Sequence, residues 1–278
     1  MILGIRAHDL GVFNRPVDLA HTARGMGFDT VQLVPFKSFT HIERRPGIFN
    51  KFLADEIRTS FAEENLSISL LGAYFHWFAG NDDPGPEIFA DHLRHASACG
   101  TNLVGTEVQG ITSHRWRSNP ENDTDEAFSS AVDMVCRLDQ TVRPEEVCIG
   151  IEGAAAHVLS TPEKVRELKD RSDVRRIRFI FDLYNFLNGE NWNQQEKIID
   201  RALEFYGSDL AAIHCKDFLP DGFTLRQVAP GTGILNYEYL ARRLLDMGME
   251  NIPMILEGVT GADITMSSAF LRQLMDRI

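Results

Sequence analysis

Val147-Cys-Ile-Gly-Ile-Glu152 decides the reading of this chain. An unbroken run of apolar and small residues leads to a single carboxylate, as expected of a strand covered on both faces that meets solvent only at its end. Three further stretches share the form: Ile177-Arg-Phe-Ile-Phe-Asp182, Leu210-Ala-Ala-Ile-His214 and Ile252-Pro-Met-Ile-Leu-Glu257. Each closes on a carboxylate or an imidazole, always at the C-terminal end. In an all-parallel α/β architecture the C-termini of the strands share one rim, so Glu152, Asp182, His214 and Glu257 can converge on one point. Three oxygen donors and one imidazole suit a hard divalent ion such as Mn²⁺, Mg²⁺ or Co²⁺ better than a structural zinc, which favours thiolates. A single carboxylate at a strand end is more often a helix cap, a surface group or an ion-pair partner. Four at corresponding positions argue for a joint role.

Outward from these runs, strand-like and helix-like segments alternate over the chain. A first strand at about 2–7 precedes a helix opened by Pro16 and punctuated by Gly25 and Gly27. Asp29 to Val34 reads as strand two, 50–64 as helix two, Ser67 to Gly72 as strand three, and 85–98 as helix three, ended by Gly100. Strand four is Asn102 to Glu107. Helix four starts near Asp123, with Glu126 in a capping-box position and apolar residues at helical spacing from Ala127 to Leu138. Strand five ends in Glu152, and Ser160-Thr-Pro-Glu163 opens helix five. Strand six ends in Asp182, helix six spans about 194–206, and strand seven ends in His214. After a long loop, Asn236 caps a helix that stops at Gly248, strand eight ends in Glu257, and an amphipathic helix follows. Eight such units make a (β/α)₈ barrel the first expectation and an open doubly wound sheet the second. With no Pro/Gly/Ser-rich linker in between, residues 1–278 are expected to form a single barrel domain.

Composition bounds the partners. A net charge of −12 argues against a nucleic-acid surface, which needs clustered Lys and Arg. The basic stretch from Arg171 to Arg178 is interrupted by Asp173 and reads as a solvated strand entrance. No apolar run approaches the roughly 20 residues of a membrane span. The N-terminus lacks the basic start and apolar stretch of a signal peptide, so a cytoplasmic location is expected. Cys99, Cys136, Cys148 and Cys215 form no CxxC pair and are expected to be reduced. Nothing in the sequence excludes a homo-oligomer.

Loops that follow barrel strands build the active face. There, His76 sits in the aromatic cluster Tyr74-Phe-His-Trp-Phe78, Glu107 ends strand four, and His114-Arg-Trp116 occupies the next loop as a lid or plain surface. Asn185 can bond a ligand or close an Asx turn. Lys216 shares a face with His214 by strand alternation and can meet a substrate hydroxyl, phosphate or carboxylate, while Asp217 should point away. Arg226 and Pro230-Gly-Thr-Gly233 lie in the loop after strand seven, where barrels often bind phosphate, although PGTG alone signals only a turn.

The stretches GIEG at 150–153, FDLYN at 181–185, IHCKD at 213–217, APGTGILNYEYL at 229–240 and ILEG at 255–258 resemble the xylose-isomerase-like barrel superfamily. Within it they are most similar to sugar (phosphate) isomerases and epimerases, which include ketose 3-epimerases and inositol-catabolism enzymes. The resemblance implies one divalent metal, Mn²⁺ by preference with Mg²⁺, Co²⁺ or Zn²⁺ as alternatives, held by Glu152, Asp182, His214 and Glu257. It also implies that both glutamates act as acid/base groups, and it suggests Arg226 as a substrate contact. One position departs: many ketose epimerases carry a histidine three residues after the metal aspartate, and Asn185 stands there. The superfamily's DNA-repair endonuclease IV group needs several more histidines for its three zinc ions, and the acidic charge opposes DNA.

The expected activity is a divalent-metal-dependent isomerisation or epimerisation of a sugar or sugar phosphate, in which a proton leaves a carbon next to a carbonyl and an enediolate forms. Glu152 and Glu257 are the expected acid/base pair and Asp182 and His214 the anchoring ligands, with His76, Glu107, Asn185, Lys216 and Arg226 around the carbohydrate. An inosose-type dehydratase begins with the same proton abstraction and is the nearest alternative. A non-catalytic sugar-binding barrel is the alternative from another class.

Overall fold

In the computed structural model, which describes residues 1–80, 83–112, 118–141 and 146–278, eight parallel strands close into a barrel. They are β1 (Ile2–Arg6), β2 (Thr30–Leu33), β3 (Ser67–Gly72), β4 (Leu103–Glu107), β5 (Cys148–Glu152), β6 (Ile177–Asp182), β7 (Leu210–Cys215) and, after the hairpin strands β8 (Asp217–Asp221) and β9 (Thr224–Val228), β10 (Pro253–Leu256). The order around the barrel is β1-β10-β7-β6-β5-β4-β3-β2, and each neighbouring pair is parallel. The (β/α)₈ barrel read from the sequence is therefore the fold, and the open sheet is not.

Helices cover the outside, and their caps follow the chemistry of the sequence. Asn50, Thr161 and Asn236 each accept a bond from the backbone N–H three residues on, at 3.1, 3.3 and 3.1 Å, and so fix the starts of Lys51–Glu63, Pro162–Ser172 and Tyr237–Asp246. One expected start shifts. Pro120–Asp123 forms a 3₁₀ turn, and the helix proper is Asp125–Thr141, with Thr124 Oγ1 accepting from Ala127 N at 3.2 Å. The Thr124 hydroxyl provides the cap, one residue beyond Asp123.

The core has two parts. Most apolar side chains fill the shell between strands and helices, whereas Leu70, Leu103, Ile180, Ala212 and Ile255 plug the barrel interior. That plug is tight: a Cβ at Gly105 would stand 2.6 Å from Leu70 Cδ1 and 2.9 Å from Ile180 Cδ1. Glycine at 105 thus lets two large neighbours meet across the barrel, and the resulting apolar floor keeps water out from below the strand C-termini. The N-terminal ammonium bonds the Glu250 carbonyl, and Arg272 on the helix Ala262–Arg277 bonds the carbonyl of Gly27, just ahead of β2. Both chain ends therefore lie on the strand N-terminal side, opposite the rim.

The loop after β7 contains structure that was not expected. Asp217–Asp221 and Thr224–Val228 pair antiparallel as a hairpin separate from the barrel sheet.

Candidate metal centre

Four strands adjacent in the barrel, β5, β6, β7 and β10, deliver the four side chains that end their sequence runs. Glu152 and Asp182 are the last residues of β5 and β6, His214 is next to last in β7, and Glu257 follows β10. One donor atom from each lies within 4.8 Å of all the others. His214 Nδ1 stands 2.9 Å from Glu257 Oε2 and 3.2 Å from Glu152 Oε1, so the imidazole lies between the two glutamates. Glu152, Asp182 and His214 are 3 %, 0 % and 3 % exposed. Buried carboxylates this close repel one another unless cations compensate.

Lys216, Arg6 and His214 provide that compensation. Lys216 Nζ donates to Asp182 Oδ2 at 2.6 Å and to Asn185 Oδ1 at 3.2 Å, and pairs with Glu257 Oε1 at 2.9 Å. Arg6 Nη1 donates to the same Glu257 oxygen at 2.9 Å. The pKa values follow from this balance. Burial opposes a charge on His214, yet the Glu152 and Glu257 carboxylates lift its pKa to about 10. Burial raises Asp182 to about 6 against the pull of Lys216. Burial also acts upward on Glu257, but Lys216, His214 and Arg6 together hold it well below the usual carboxylate range. The carboxylates are thus shared among a proton on His214 and two cationic side chains, and a divalent ion bound here would take over that role and release the proton. Three carboxylates and an imidazole with this spacing fit a hard divalent cation in donor chemistry.

The residues expected around the site are placed unequally. Asn185 is drawn in: its Nδ2 donates to Glu152 Oε1 at 2.8 Å and its Oδ1 accepts from Lys216. The local backbone bond is made by Asp182 and not by Asn185: Asp182 caps the short helix Leu183–Phe186, its Oδ1 accepting from Asn185 N at 3.3 Å. Glu107 pairs in register with Glu152 across β4 and β5, and it accepts from Gln109 Nε2 at 2.7 Å. Burial, then the Glu152 charge, raises Glu107 to about 7. Lys216 does share the His214 side, but its ammonium is committed to Asp182 and Glu257. His76 Nε2 bonds the Gly110 carbonyl at 3.0 Å and joins two loops instead of lining the cavity. Arg226 lies exposed on β9. His114, Arg115 and Trp116 fall outside the described residues.

Asp217 points away from the site, as strand alternation demands, and organises the next loop. Its carboxylate accepts from the N–H groups of Phe218 at 2.8 Å and of Gly231, Gly233 and Leu235, each at 2.9 Å. A Cβ at Gly233 would stand 2.2 Å from Asp217 Oδ1 and 2.4 Å from the Phe218 carbonyl oxygen, so only glycine allows this approach. PGTG is therefore more than a turn: it wraps an anion placed immediately after Lys216.

A cavity of about 530 Å³ opens beside the four donors. Its lining includes Glu152, Glu257 and Glu107, together with Arg6, Gln32 and Tyr74 from the first half of the chain. Arg6 ends β1 and Gln32 is next to last in β2, so the strand-end rule that found the four donors also applies to these two.

The sequence matches the profile of the xylose isomerase-like TIM barrel over residues 20–274. Among solved structures, 3-keto-D-glucoside 4-epimerase YcjR from E. coli is 16 % identical with a TM-score of 0.71, covering 99 % of each chain. A xylose isomerase-like TIM barrel protein from Mycobacterium smegmatis in complex with magnesium is 17 % identical with a TM-score of 0.72, covering 100 % of this chain and 96 % of its own. A D-tagatose 3-epimerase-like protein is 15 % identical with a TM-score of 0.76, covering 100 % of this chain and 98 % of its own. At these identities the solved structures speak for the fold alone, and no curated protein sequence matches the chain. The profile match spans far more than half of the sequence and agrees with the closed parallel barrel, so the chain belongs to the xylose isomerase-like TIM barrel family.

Proposed function

We propose that this protein is a divalent-metal-dependent isomerase or epimerase acting on a sugar or sugar phosphate by proton transfer next to a carbonyl. One observation carries the reading: two glutamates, Glu152 and Glu257, flank His214 Nδ1 in a buried cluster whose four donors lie within 4.8 Å of one another. Glu152, Asp182, His214 and Glu257 would hold the ion, with Mn²⁺ preferred, and the magnesium complex of a barrel of the same fold supports a divalent metal of this kind. When bound, the ion supplies Lewis-acid polarisation of a substrate carbonyl and its neighbouring hydroxyl.

The protein's own groups move the proton. Glu152 and Glu257 both border the cavity, so one can remove a proton from carbon while the other returns it. Asn185 and His214 hold the Glu152 carboxylate in place, and Arg6, Lys216 and His214 hold that of Glu257. Glu107, raised to about 7, is a third carboxyl group on the cavity wall and can exchange a proton near neutral pH. The apolar plug below limits the access of water from the barrel interior that would compete for the proton. Among the described residues no helix is long and apolar enough to cross a membrane, and four free cysteines fit a reducing cytoplasm.

The test is exchange of the substrate's α-proton with solvent deuterium, measured over a panel of free and phosphorylated ketoses with Mn²⁺-loaded protein. Exchange that requires both metal and an intact Glu152 and Glu257 is expected. Stoichiometric metal with no exchange for any member would leave a binding barrel instead.

A further inference from the structure

The wall of the cavity contributed by the first half of the chain carries three cations, Arg6, Lys37 and Arg44, in a protein whose net charge is −12. They differ in what remains of their charge. Arg6 is committed within the protein, to Glu257 and to both oxygens of Asp9. Arg44 stands 3.9 Å from Asp83, at the outer limit of an ion pair, and its Nη2 reaches the Tyr74 carbonyl only at 3.4 Å. Lys37 has no ion-pair partner among the described residues, and its ammonium lies 5.9 Å from the Tyr74 ring centroid. Lys37 and Arg44 thus flank Tyr74 with charge that no neighbour neutralises fully.

The same cavity is lined by two buried amides with an unmatched oxygen. Gln32 and Gln109 are 1 % and 2 % exposed, and Oε1 of each has no hydrogen-bond partner. Their amide nitrogens are already used, donating to Tyr74 Oη at 2.6 Å and to Glu107 Oε1 at 2.7 Å. Since the Tyr74 oxygen accepts from Gln32, its own proton remains available as a donor. A buried acceptor without a donor is unfavourable, so both amide oxygens are suited to hydroxyl groups brought in by a ligand.

We propose that the ligand of this cavity is a polyhydroxylated carbonyl compound with one anionic terminal group, a phosphate or a carboxylate, which Lys37 and Arg44 hold while hydroxyls donate to Gln32 and Gln109. The carbonyl part of this assignment rests on the isomerase reading above. The sequence points to Lys216 and Arg226 as the cations for substrate, but Lys216 is spent on Asp182 and Glu257, and Arg226 lies on the hairpin.

Three six-carbon polyols that differ at one end test the proposal without turnover: D-glucitol, D-gluconate and D-glucitol 6-phosphate, titrated calorimetrically into the full-length protein with Mg²⁺. At least one anionic polyol should bind about 10-fold or more tightly than D-glucitol, the scale of one hydrogen bond to a charged group. In the double variant Lys37→Met/Arg44→Met that advantage should vanish, with D-glucitol binding and thermal unfolding unchanged, because both side chains lie on the surface. Preference for the phosphate identifies a sugar phosphate as the ligand class, and preference for gluconate identifies a sugar acid. The proposal is overturned if neither anion outcompetes D-glucitol, if none of the three binds at millimolar concentration, or if the advantage survives in the double variant. An anion advantage that depends on Lys37 and Arg44, without proton exchange in any ketose, would keep the anion site and remove the isomerase reading. Exchange with neutral ketoses and no anion advantage would do the reverse.

Discussion

Glu152 and Glu257 carry the chemistry proposed here, and their glutamine variants separate proton transfer from metal binding. Gln keeps a donor oxygen and the side-chain size, so metal should still bind, while turnover and α-proton exchange should fall by about 10²–10⁴-fold, as for loss of a general base. Wild-type exchange rates in fully loaded Glu152→Gln and Glu257→Gln would refute the two-glutamate mechanism. Asp182→Asn should instead weaken metal affinity, with activity partly recovered at high metal concentration. Lys216 yields a prediction of another kind. Its ammonium neutralises Asp182 and Glu257 when no ion does so, and Lys216→Met leaves those buried charges uncompensated. Metal-free Lys216→Met should lose about 3–5 kcal/mol of stability, the cost of breaking a buried pair, and saturating metal should restore most of it. Thermal unfolding with chelator and with Mn²⁺ measures both arms, and an equal loss under the two conditions would show that Lys216 acts by packing alone.

The loop after β7 is the element where local sequence says least and tertiary contact most. Asp217 gathers four backbone N–H groups, three of them from 14 to 18 residues away, and Gly233 leaves room for its carboxylate. Asp217→Ala should destabilise the protein by at least about 2 kcal/mol, because buried donors lose a charged acceptor. It should also weaken the positioning of Lys216 on Asp182 and Glu257, lowering kcat more than it raises KM, and denaturant unfolding with steady-state kinetics would check both. A stability within a few tenths of a kcal/mol of wild type would show that the loop holds without its anchor. The single strand-end rule located Glu152, Asp182 and His214 because a buried strand tolerates polar groups only where it emerges. Applied to β1 and β2, it also points to Arg6 and Gln32. Lys37 and Arg44 lie in the segment after β2, where no periodicity marks which side chains face the cavity.

For the molecule as a whole, acid sensitivity should come in part from His92, on the helix Gly85–Cys99. It is 2 % exposed, stacks on Phe49 with ring centroids 4.3 Å apart, and bonds the Ile88 carbonyl from Nδ1 at 2.8 Å. Burial lowers its pKa from 6.5 to about 4. Between these values the unfolded chain binds the proton and the folded chain does not, so stability is present above pH 6.5 and is lost as pH falls towards 4. His92→Phe should flatten the dependence of unfolding free energy on pH across that window, whatever its effect at neutral pH. An unchanged slope would show that His92 accepts its proton in the folded state.

Sequence alone determined the barrel, since eight apolar runs alternating with capped helices leave few other ways to bury both faces of every strand. It also determined which side chains meet at the rim from β5, β6, β7 and β10, because parallel strands end on one rim; the pairing is staggered, with Glu152 opposite Ile180 and His214 opposite both Asp182 and Ile255, and strand tilt in the closed barrel brings the four ends together. Tertiary structure alone decided how those groups are balanced. Strand alternation places Lys216 on the His214 side but does not reveal that its ammonium is committed to Asp182 and Glu257, that His76 is spent on Gly110, or that Asn185 links Glu152 to Lys216. It does not place Lys37 and Arg44 beside Tyr74 either. These outcomes depend on distances between side chains tens to hundreds of residues apart, and such distances exist only once the barrel has closed.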